Sequence, residues 1–335
     1  MFKSFFLSRQ FALWAWLGAA LIFGGTWYQV QIDVSINEWF GGFYDLVQKA
    51  LSKPGAVTLP EFFGFLLSFA KLAGIYVLVA VLLTFFIKHW VFRWRQAMND
   101  FYMTHWQRLR HIEGASQRVQ EDTKRFANIM ETLGVNMLDS IMTLFAFLPI
   151  LWALSEKISE VPFFGTVDHA LVYVAVLFAL LGTVVLAVIG IKLPGLEFNN
   201  QKVEAAFRKE LVLAEDDDMR ASEPVVQALF FQVRKNYFRL FFHYMYFDVA
   251  KFTYLQFGVL VPYIALGPTV VAGAITLGVM QQIVRAFGRV EMSFQFLVRS
   301  WGTIVELISV YKRLRAFEAE IQNVDQPTVP EASGI

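Results

Sequence analysis

Apolar and polar residues are distributed along this chain in long blocks rather than in the short alternation of a strand or the one-sided stripe of a surface helix. A helix that crosses the hydrocarbon core of a bilayer needs roughly 20 mostly apolar residues, and runs of that kind occupy 11–28, 62–87, 133–154 and 170–191. The fourth run is uncharged, the second contains only Lys71, and the third has Asp139 near its start. Phe252 to Met280 is also uncharged, but at about 1.5 Å per residue it is too long for one span and too short for two. Pro262, Gly267 and Pro268 place a break inside it, so two spans are predicted, at about 240–264 and 270–296, each borrowing from its flank.

The connecting blocks complete the pattern. Lys3 and Arg9 precede the first run as in a secretory leader, yet no small-x-small cleavage site follows, and a retained span is expected. Residues 29–61, with Trp39, Phe40, Phe43, Tyr44, Pro54 and Pro60, suit an interfacial connection. Two long polar blocks, 93–126 and 192–239, follow the second and fourth spans. The first has Gly114 as almost its only helix breaker, and reads as a helix leaving span two, turning, and re-entering span three. The sixth helix is expected to run on to Ile321, so residues 1–322 form one transmembrane domain and 323–335 a disordered tail.

Lysine and arginine placement orients these spans. The block between spans two and three holds Lys88, Arg93, Arg95, Arg108, Arg110, Arg118, Lys124 and Arg125. The block between four and five is equally basic, with Lys192, Lys202, Arg208, Lys209, Arg220, Arg234, Lys235 and Arg239. By contrast, the link between three and four has only Lys157, and the link between five and six has none. Six spans with both termini and both long excursions in the cytoplasm satisfy every segment. Six helices with two such hairpins are the half-molecule of an ABC-exporter-type domain, an analogy of fold alone.

Composition agrees with a membrane setting: 56% hydrophobic, 16% aromatic and 17% charged residues, with mean hydropathy +0.48. A soluble domain is nearer one-quarter charged. A formal net charge of +1 argues against a nucleic-acid partner. The absence of cysteine removes disulfides, iron–sulfur clusters and thiolate zinc sites. The histidines form no H-E-x-x-H, and neither G-x-x-x-x-G-K-[ST] nor G-x-S-x-G occurs. No catalytic residue, metal or cofactor is therefore expected, and a lipid-modifying enzyme has no constellation to support it.

Two helical faces stand out. At 100° per residue Glu197, Glu204 and Glu215 lie within about 20° of one another in turn, with Gln201 and Arg208 on the same stripe. A solvated face of a cytoplasmic helix fits that stripe as well as a functional one does. On the sixth helix Gln281, Gly288, Gln295 and Gly302 recur every seven residues, and Arg299, Glu306 and Arg313 form a neighbouring row. That face should line water or a partner helix, with packing through the glycines as the structural alternative. Asp248 and Lys251, three apart, suit a structural ion pair. Lys71 can snorkel or meet an acid, and Glu131, at the mouth of span three, suits either a capping or a proton-binding role.

Several words of the sequence carry a resemblance. Residues 89–99 (HWVFRWRQAMN), 106–126 (WQRLRHIEGASQRVQEDTKRF), 190–198 (GIKLPGLEF) and 234–240 (RKNYFRL) closely resemble the SbmA/BacA family of bacterial inner-membrane peptide transporters. The similarity runs from about Asn37 through Glu318. Residues 117–122 (QRVQED) and 273–278 (GAITLG) also echo fatty-acid-type ABC transporters, which carry an ATPase domain. The resemblance implies an all-α membrane protein with an ABC-exporter-type transmembrane domain, acting as a domain-interlocked homodimer in the inner membrane of Gram-negative bacteria. It implies proton-driven import of peptides and peptide antibiotics, with no attached ATPase, and in some bacteria an effect on very-long-chain fatty acids of the envelope. The family's proton-coupling glutamates fall on Glu121, Glu131, Glu197, Glu204, Glu215 and Glu306, with Gln281, Gln295 and Arg299 as cavity candidates and Glu113 as a further part of the gate. Family members begin with additional hydrophobic sequence, whereas here Met1 to Phe6 leads almost directly into the first span.

Overall fold

A computed structural model describes residues 1–112, 115–158, 160–162, 165, 167–215, 217 and 220–324 of the chain. The expected Glu113 and Gly114 and the tail at 325–335 lie outside them. Among the described residues there are only helices and one isolated bridge between Val161 and Gly165. A short α1 (Phe2–Phe6) precedes α2 (Ala12–Ser52) and α3 (Leu59–Thr104), which at about 1.5 Å per residue are roughly 60 and 70 Å long. The chain turns through α4 (Trp106–Leu109) and α5 (Ala115–Gln117) and returns as α6 (Thr123–Ile129), flanked by π-helical turns at Arg118–Asp122 and Met130–Gly134, into α7 (Val135–Ser155). Next come α8 (Ala170–Gly190), α9 (Leu193–Ala214), α10 (Glu223–Gly258), α11 (Leu260–Val271), α12 (Leu277–Arg299) and α13 (Trp301–Val324).

Four helical stretches, Leu59–Thr104, Ala115–Ser155, Ala170–Ala214 and Glu223–Val271, are long and apolar enough to cross a membrane. They contain the second to fifth predicted spans. Neither α2 nor α12 is among them, and their packing explains why. The two helices α2 and α3 run antiparallel in a constant register: the Trp90 indole donates to the Ala15 carbonyl at 3.2 Å, Leu83 closes over Gly25, and the Trp39 indole donates to Phe65 O and Ser68 Oγ, both at 2.9 Å. The apolar stretch 62–87 of α3 therefore lies beside residues from about 20 to about 45 of α2, not beside 11–28. The expected interfacial connection at 29–61 is mostly helix, and the actual link is 53–58. Its aromatic residues are an interhelical seam, with Trp39 stacked on Phe43 and packed against Phe69.

At that level α2 turns polar side chains inward, including Asp33 and Asn37, which are 8% and 1% exposed. Asp33 meets α12, which packs against α2, α7 and α8. The helices α2 and α12 are again antiparallel: Asp33 is ion-paired with Arg289, Gln282 lies against Gly41, and the first N–H groups of α12 are capped from α2. The Leu277 N–H donates to Gln48 Oε1 at 2.8 Å and the Gly278 N–H to Asp45 Oδ1 at 2.9 Å. A helix N-terminus has orphan donors and a partial positive charge, so a carboxylate there is stabilising. The two helices that composition alone would keep out of a bilayer thus satisfy each other inside the bundle.

The predicted break within the fifth and sixth spans is displaced. The helix passes through Gly267 and Pro268, and the turn to α12 occupies 272–276 with Gly273 at φ +67. Pro262 instead breaks the helix upstream: it has no N–H to give the carbonyl four residues back, and Gly258 is where α10 ends. Likewise the sixth helix is interrupted at Ser300 before α13.

At the charged end an aromatic core ties the excursions together. Phe5 stacks on Trp94, Phe126 meets the edge of Trp94, and Phe317 of α13 packs on Tyr102. The buried Tyr102 hydroxyl donates to Glu318 Oε1 at 2.9 Å. Burial, with the Glu318 carboxylate next, pushes this phenol's pKa up, which keeps it a neutral donor. Residues near both termini and the 93–126 hairpin thus share one end of the molecule.

The contact between α2 and α12 is the least forgiving. A Cβ on Gly278 would strike the carbonyl oxygen of Gly41 and the Asp45 carboxylate, whereas one on Gly64 would meet nothing. Gly278→Ala is expected to cost roughly 1–3 kcal/mol through overpacking, read as a lower unfolding temperature in detergent, while Gly64→Ala leaves it unchanged or raises it. Equal melting of the two variants would contradict this packing.

Candidate functional site

A cavity of about 880 Å³ opens at the charged end of the bundle, where α8 gives way to α9 and α12 to α13. The break between α8 and α9 at 191–192, followed by Pro194 at the start of α9, re-aims the chain there. Apolar walls come from Leu186, Val188, Phe198, Phe247 and Val305, and polar groups from Glu197, Tyr244, Arg299, Glu306 and Arg313. Concave, mostly apolar surfaces with a few convergent polar groups are the usual form of a ligand site.

These polar groups are already organised. The Tyr244 hydroxyl donates to Glu197 Oε1 at 2.9 Å. The Arg125 guanidinium bridges Glu121 at 2.7 Å and Glu306 at 3.4 Å, all three being well exposed. Arg313 forms a two-pronged bond to Asp122, at 2.9 and 2.8 Å, and Asp122 is only 3% exposed. That bond holds the Arg313 guanidinium above its ordinary pKa, so its charge is permanent. From the cavity a polar ladder climbs α12: Arg299 donates to Gln295 Oε1 at 2.6 Å, and Gln295 donates to Glu291 Oε1 at 2.8 Å. One face of α12 thus carries polar groups at i, i+4 spacing from the cavity into the bundle.

Of the predicted residues, the structure brings Glu197, Glu306 and Arg299 to the cavity wall, with Glu121 joined through Arg125 and Gln295 through Arg299. The others stand apart. Glu204 is half-buried on α9, Glu215 is exposed at its end, and neither lines the cavity; the side chain of Gln201 lies outside the described residues. Helix α9 is continuous up to Ala214, so the stripe exists, but only its first member reaches the cavity. Glu131 is half-buried on the π-helical turn at Met130–Gly134. Gln281 is half-buried near the opposite end of α12, roughly 27 Å from Arg299 along the helix axis. The ion pair of Asp248 with Lys251 forms at 3.4 Å on an exposed face, and Lys71 is exposed with no ion-pair partner among the described residues.

Sequence reasoning missed Asp122, Glu291, the buried Asp33 and the half-buried Arg285 and Arg289. The heptad rows drawn on the sixth helix step over Glu291, which sits four residues before Gln295. Asp33 was missed because residues 29–61 were read as an interfacial connection, whereas α2 runs on as helix to Ser52. The spacing of Arg285 and Arg289 at i, i+4, one turn apart on the same face of the helix, was a usable signal.

The model of the SbmA/BacA-like family matches residues 8–322. The chain belongs to this family. Relatives include the inner membrane ABC transporter ATP-binding protein YddA of Escherichia coli (strain K12), 26% identical over 86% of this chain and 54% of YddA. An uncharacterized ABC transporter ATP-binding protein of Synechocystis, sll0182, is 25% identical over 67% of this chain and 33% of its own length. An uncharacterized ABC transporter ATP-binding protein of Haemophilus influenzae is 22% identical over 90% of this chain and 53% of its own length. The chain thus spans about half the length, or less, of these relatives.

The two acid–arginine contacts beside the cavity differ in burial, and so should their loss. Asp122→Ala leaves Arg313 without its buried partner and is expected to cost roughly 1–3 kcal/mol, whereas Glu121→Ala, at an exposed pair, costs less than about 1 kcal/mol. Thermal unfolding of both variants checks this, and an equal or reversed order would show that burial of Asp122 does not matter.

Proposed function

We propose that this SbmA/BacA-like protein imports peptides and peptide-derived antibiotics across the bacterial inner membrane, driven by the proton gradient. The observation that carries the reading is the cavity at the charged end, where carboxylates, arginines and aromatic rings share one apolar concavity. Such a lining suits cationic, partly apolar peptides: glutamates meet charge, aromatic faces meet apolar side chains, and nothing in it reads a fixed sequence. In this reading two copies associate as a domain-interlocked homodimer in an ABC-exporter-type arrangement of six spans, with both termini in the cytoplasm, and the cavity of each copy faces a shared axis. Both the peptide and the proton must bind the two access states with different affinity for either to drive transport.

Glu197 and Glu306 are the coupling candidates on the cavity wall, with Glu121 behind them. Glu131, Glu204 and Glu215 would act at the cytoplasmic mouth, on the surface where the second copy is expected. Gln281, at the far end of α12, would serve the outer opening. Membrane lipid covers the exposed apolar faces, and the reading requires no metal, cofactor or nucleic acid.

A second reading is supported by the relatives' names: the chain would be the membrane part of an ATP-driven transporter of peptides or long-chain fatty acids, working with a separate ATPase. One experiment separates the two. Proteoliposomes containing only this protein are given an inward proton gradient and a labelled cationic peptide. Uptake that collapses with an uncoupler, and that falls at least roughly tenfold in Glu197→Gln (about 1.4 kcal/mol in the transport barrier), supports proton-driven import. Uptake indifferent to the uncoupler would contradict it, and uptake only after adding an ATPase and ATP would establish the second reading.

A further inference from the structure

The stripe of α12 that carries Gln281 and Gly288 does not reach the cavity, and between these two residues it holds an unpaired arginine. Arg285 stands four residues after Gln281 and three before Gly288, so all three share one helix face. It is half-buried, its Nε is buried without an acceptor, and it has no hydrogen-bond or ion-pair partner among the described residues. It is held instead by the Phe40 ring of α2, whose centroid is 4.1 Å from the guanidinium carbon. An arginine held over the face of a ring keeps its N–H edge for a planar acceptor, and a carboxylate fits that edge with two parallel bonds.

None of the neighbouring acids fills this role. Asp33 is ion-paired with Arg289, and Asp45 caps the first turn of α12. Glu38 of α2 and Asp139 of α7 are exposed, and neither forms an ion pair with Arg285 among the described residues. Asn37 adds a second unmade bond at the same place. Asp33 pairs with Arg289 and Gly41 abuts Gln282, so Asn37, midway between them on the same face of α2, falls opposite Arg285 in register. It is 1% exposed, and its Oδ1 has no partner. A buried donor and a buried acceptor thus face one junction without bonding each other, and the amide is free to turn its oxygen or its Nδ2 group toward an occupant. Room for an occupant lies beside Gly288, where a Cβ would meet nothing within 4 Å.

We propose that Arg285, with Asn37 and Gln281 beside it, forms a carboxylate-binding subsite, and that its ligand is the C-terminal carboxylate of the transported peptide. The identity of the ligand rests on the import reading, and the carboxylate site rests on the geometry. Arg285 contributes the charge and a fork of N–H donors, and Asn37 and Gln281 contribute amide N–H groups. Every peptide with a free C-terminus carries this group whatever its side chains, so the subsite anchors a peptide without reading its sequence. Arg285 and Arg299 are two heptads apart on α12, roughly 21 Å along the axis and about 40° around it. An extended peptide of roughly six residues spans that length, so one chain can place its carboxylate at Arg285 and its basic side chains at the glutamates of the cavity.

Equilibrium binding to the full chain in nanodiscs tests this. The probe is a fluorescent cationic peptide of roughly ten residues, long enough to span both groups, prepared with a free C-terminal carboxylate and as the C-terminal amide. The parent is expected to bind the carboxylate form about tenfold more tightly or better, with the ratio falling to near one in Arg285→Gln and persisting in Arg299→Gln. A ratio near one in the parent, or a ratio that survives Arg285→Gln, overturns the inference. If Arg285→Gln does not fold, Arg285→Lys decides, since lysine keeps the charge and loses the fork: a reduced ratio supports the subsite, and an unchanged ratio overturns it. In a second arm the proteins are melted without peptide in sodium acetate and in sodium chloride of equal ionic strength. Acetate is expected to raise the unfolding temperature of the parent above its value in chloride and to lose this effect in Arg285→Gln, whereas equal responses of the two proteins overturn the inference. Binding of neither peptide form, with the acetate effect still dependent on Arg285, would sink the import reading and leave the carboxylate site standing.

Discussion

The pairing of Asp33 with Arg289 is the constraint on which the rest of the bundle depends. An ion pair inside the bundle cannot be left half made, because a single buried charge without its partner is far more costly than the pair. It therefore fixes α2 against α12, and with them the register of the two helices. Asp45 and Gln48 fix the same two helices a second time by capping α12. Gly41 and Gly278 allow the backbones to approach closely enough for both sets of bonds to form. Once α12 is held in this way, α7 and α8 close around its apolar faces through Phe147, Leu171, Ile283 and Phe287.

This arrangement links the two sites of the molecule. Helix α12 begins at the contacts with α2, carries Arg285 and Arg289 through the middle of the bundle, and ends at Arg299 on the cavity wall. Along the way the ladder of Glu291, Gln295 and Arg299 leads from the charged group toward the cavity. A displacement of α12 along α2 would move Arg299 as well, since both arginines stand on the same helix. Past Ser300, α13 continues to Glu306, Arg313 and the aromatic core around Tyr102, so the cavity wall and the cytoplasmic-type hairpin respond to the same element.

Much of this was legible in the sequence. The four apolar runs at 62–87, 133–154, 170–191 and about 240–264 fall in helices long and apolar enough to cross a membrane, and the hairpin between 93 and 126 takes the predicted course. The family could be read from extended motifs, because long matches such as 106–126 are specific. What failed was placement wherever polar residues enter the bundle. The polar half of α2 reads as a surface connection until its partner α12 is known, since a buried aspartate is inexpensive only beside its arginine. The helix expected from about 270 begins only at Leu277, where α2 caps it. The glutamate stripe of α9 was located correctly as a helix face, but periodicity says nothing about which member reaches a cavity. Asp122 gave no signal at all, for its burial depends on Arg313, nearly two hundred residues away.

The central claim is that residues from about 20 to about 45 of α2 lie within the bilayer, carrying Asp33 at mid-depth. Nitroxide labels placed singly along α2 in a lipid bilayer, at Leu13, Leu17, Leu21, Tyr28, Ser35 and Glu38, report depth through the ratio of their accessibility to oxygen and to a water-soluble relaxant. The account predicts that depth rises along the series and peaks between Tyr28 and Ser35, around residue 33. A maximum between Leu17 and Leu21, with Ser35 and Glu38 at the depth of the headgroups, would contradict it.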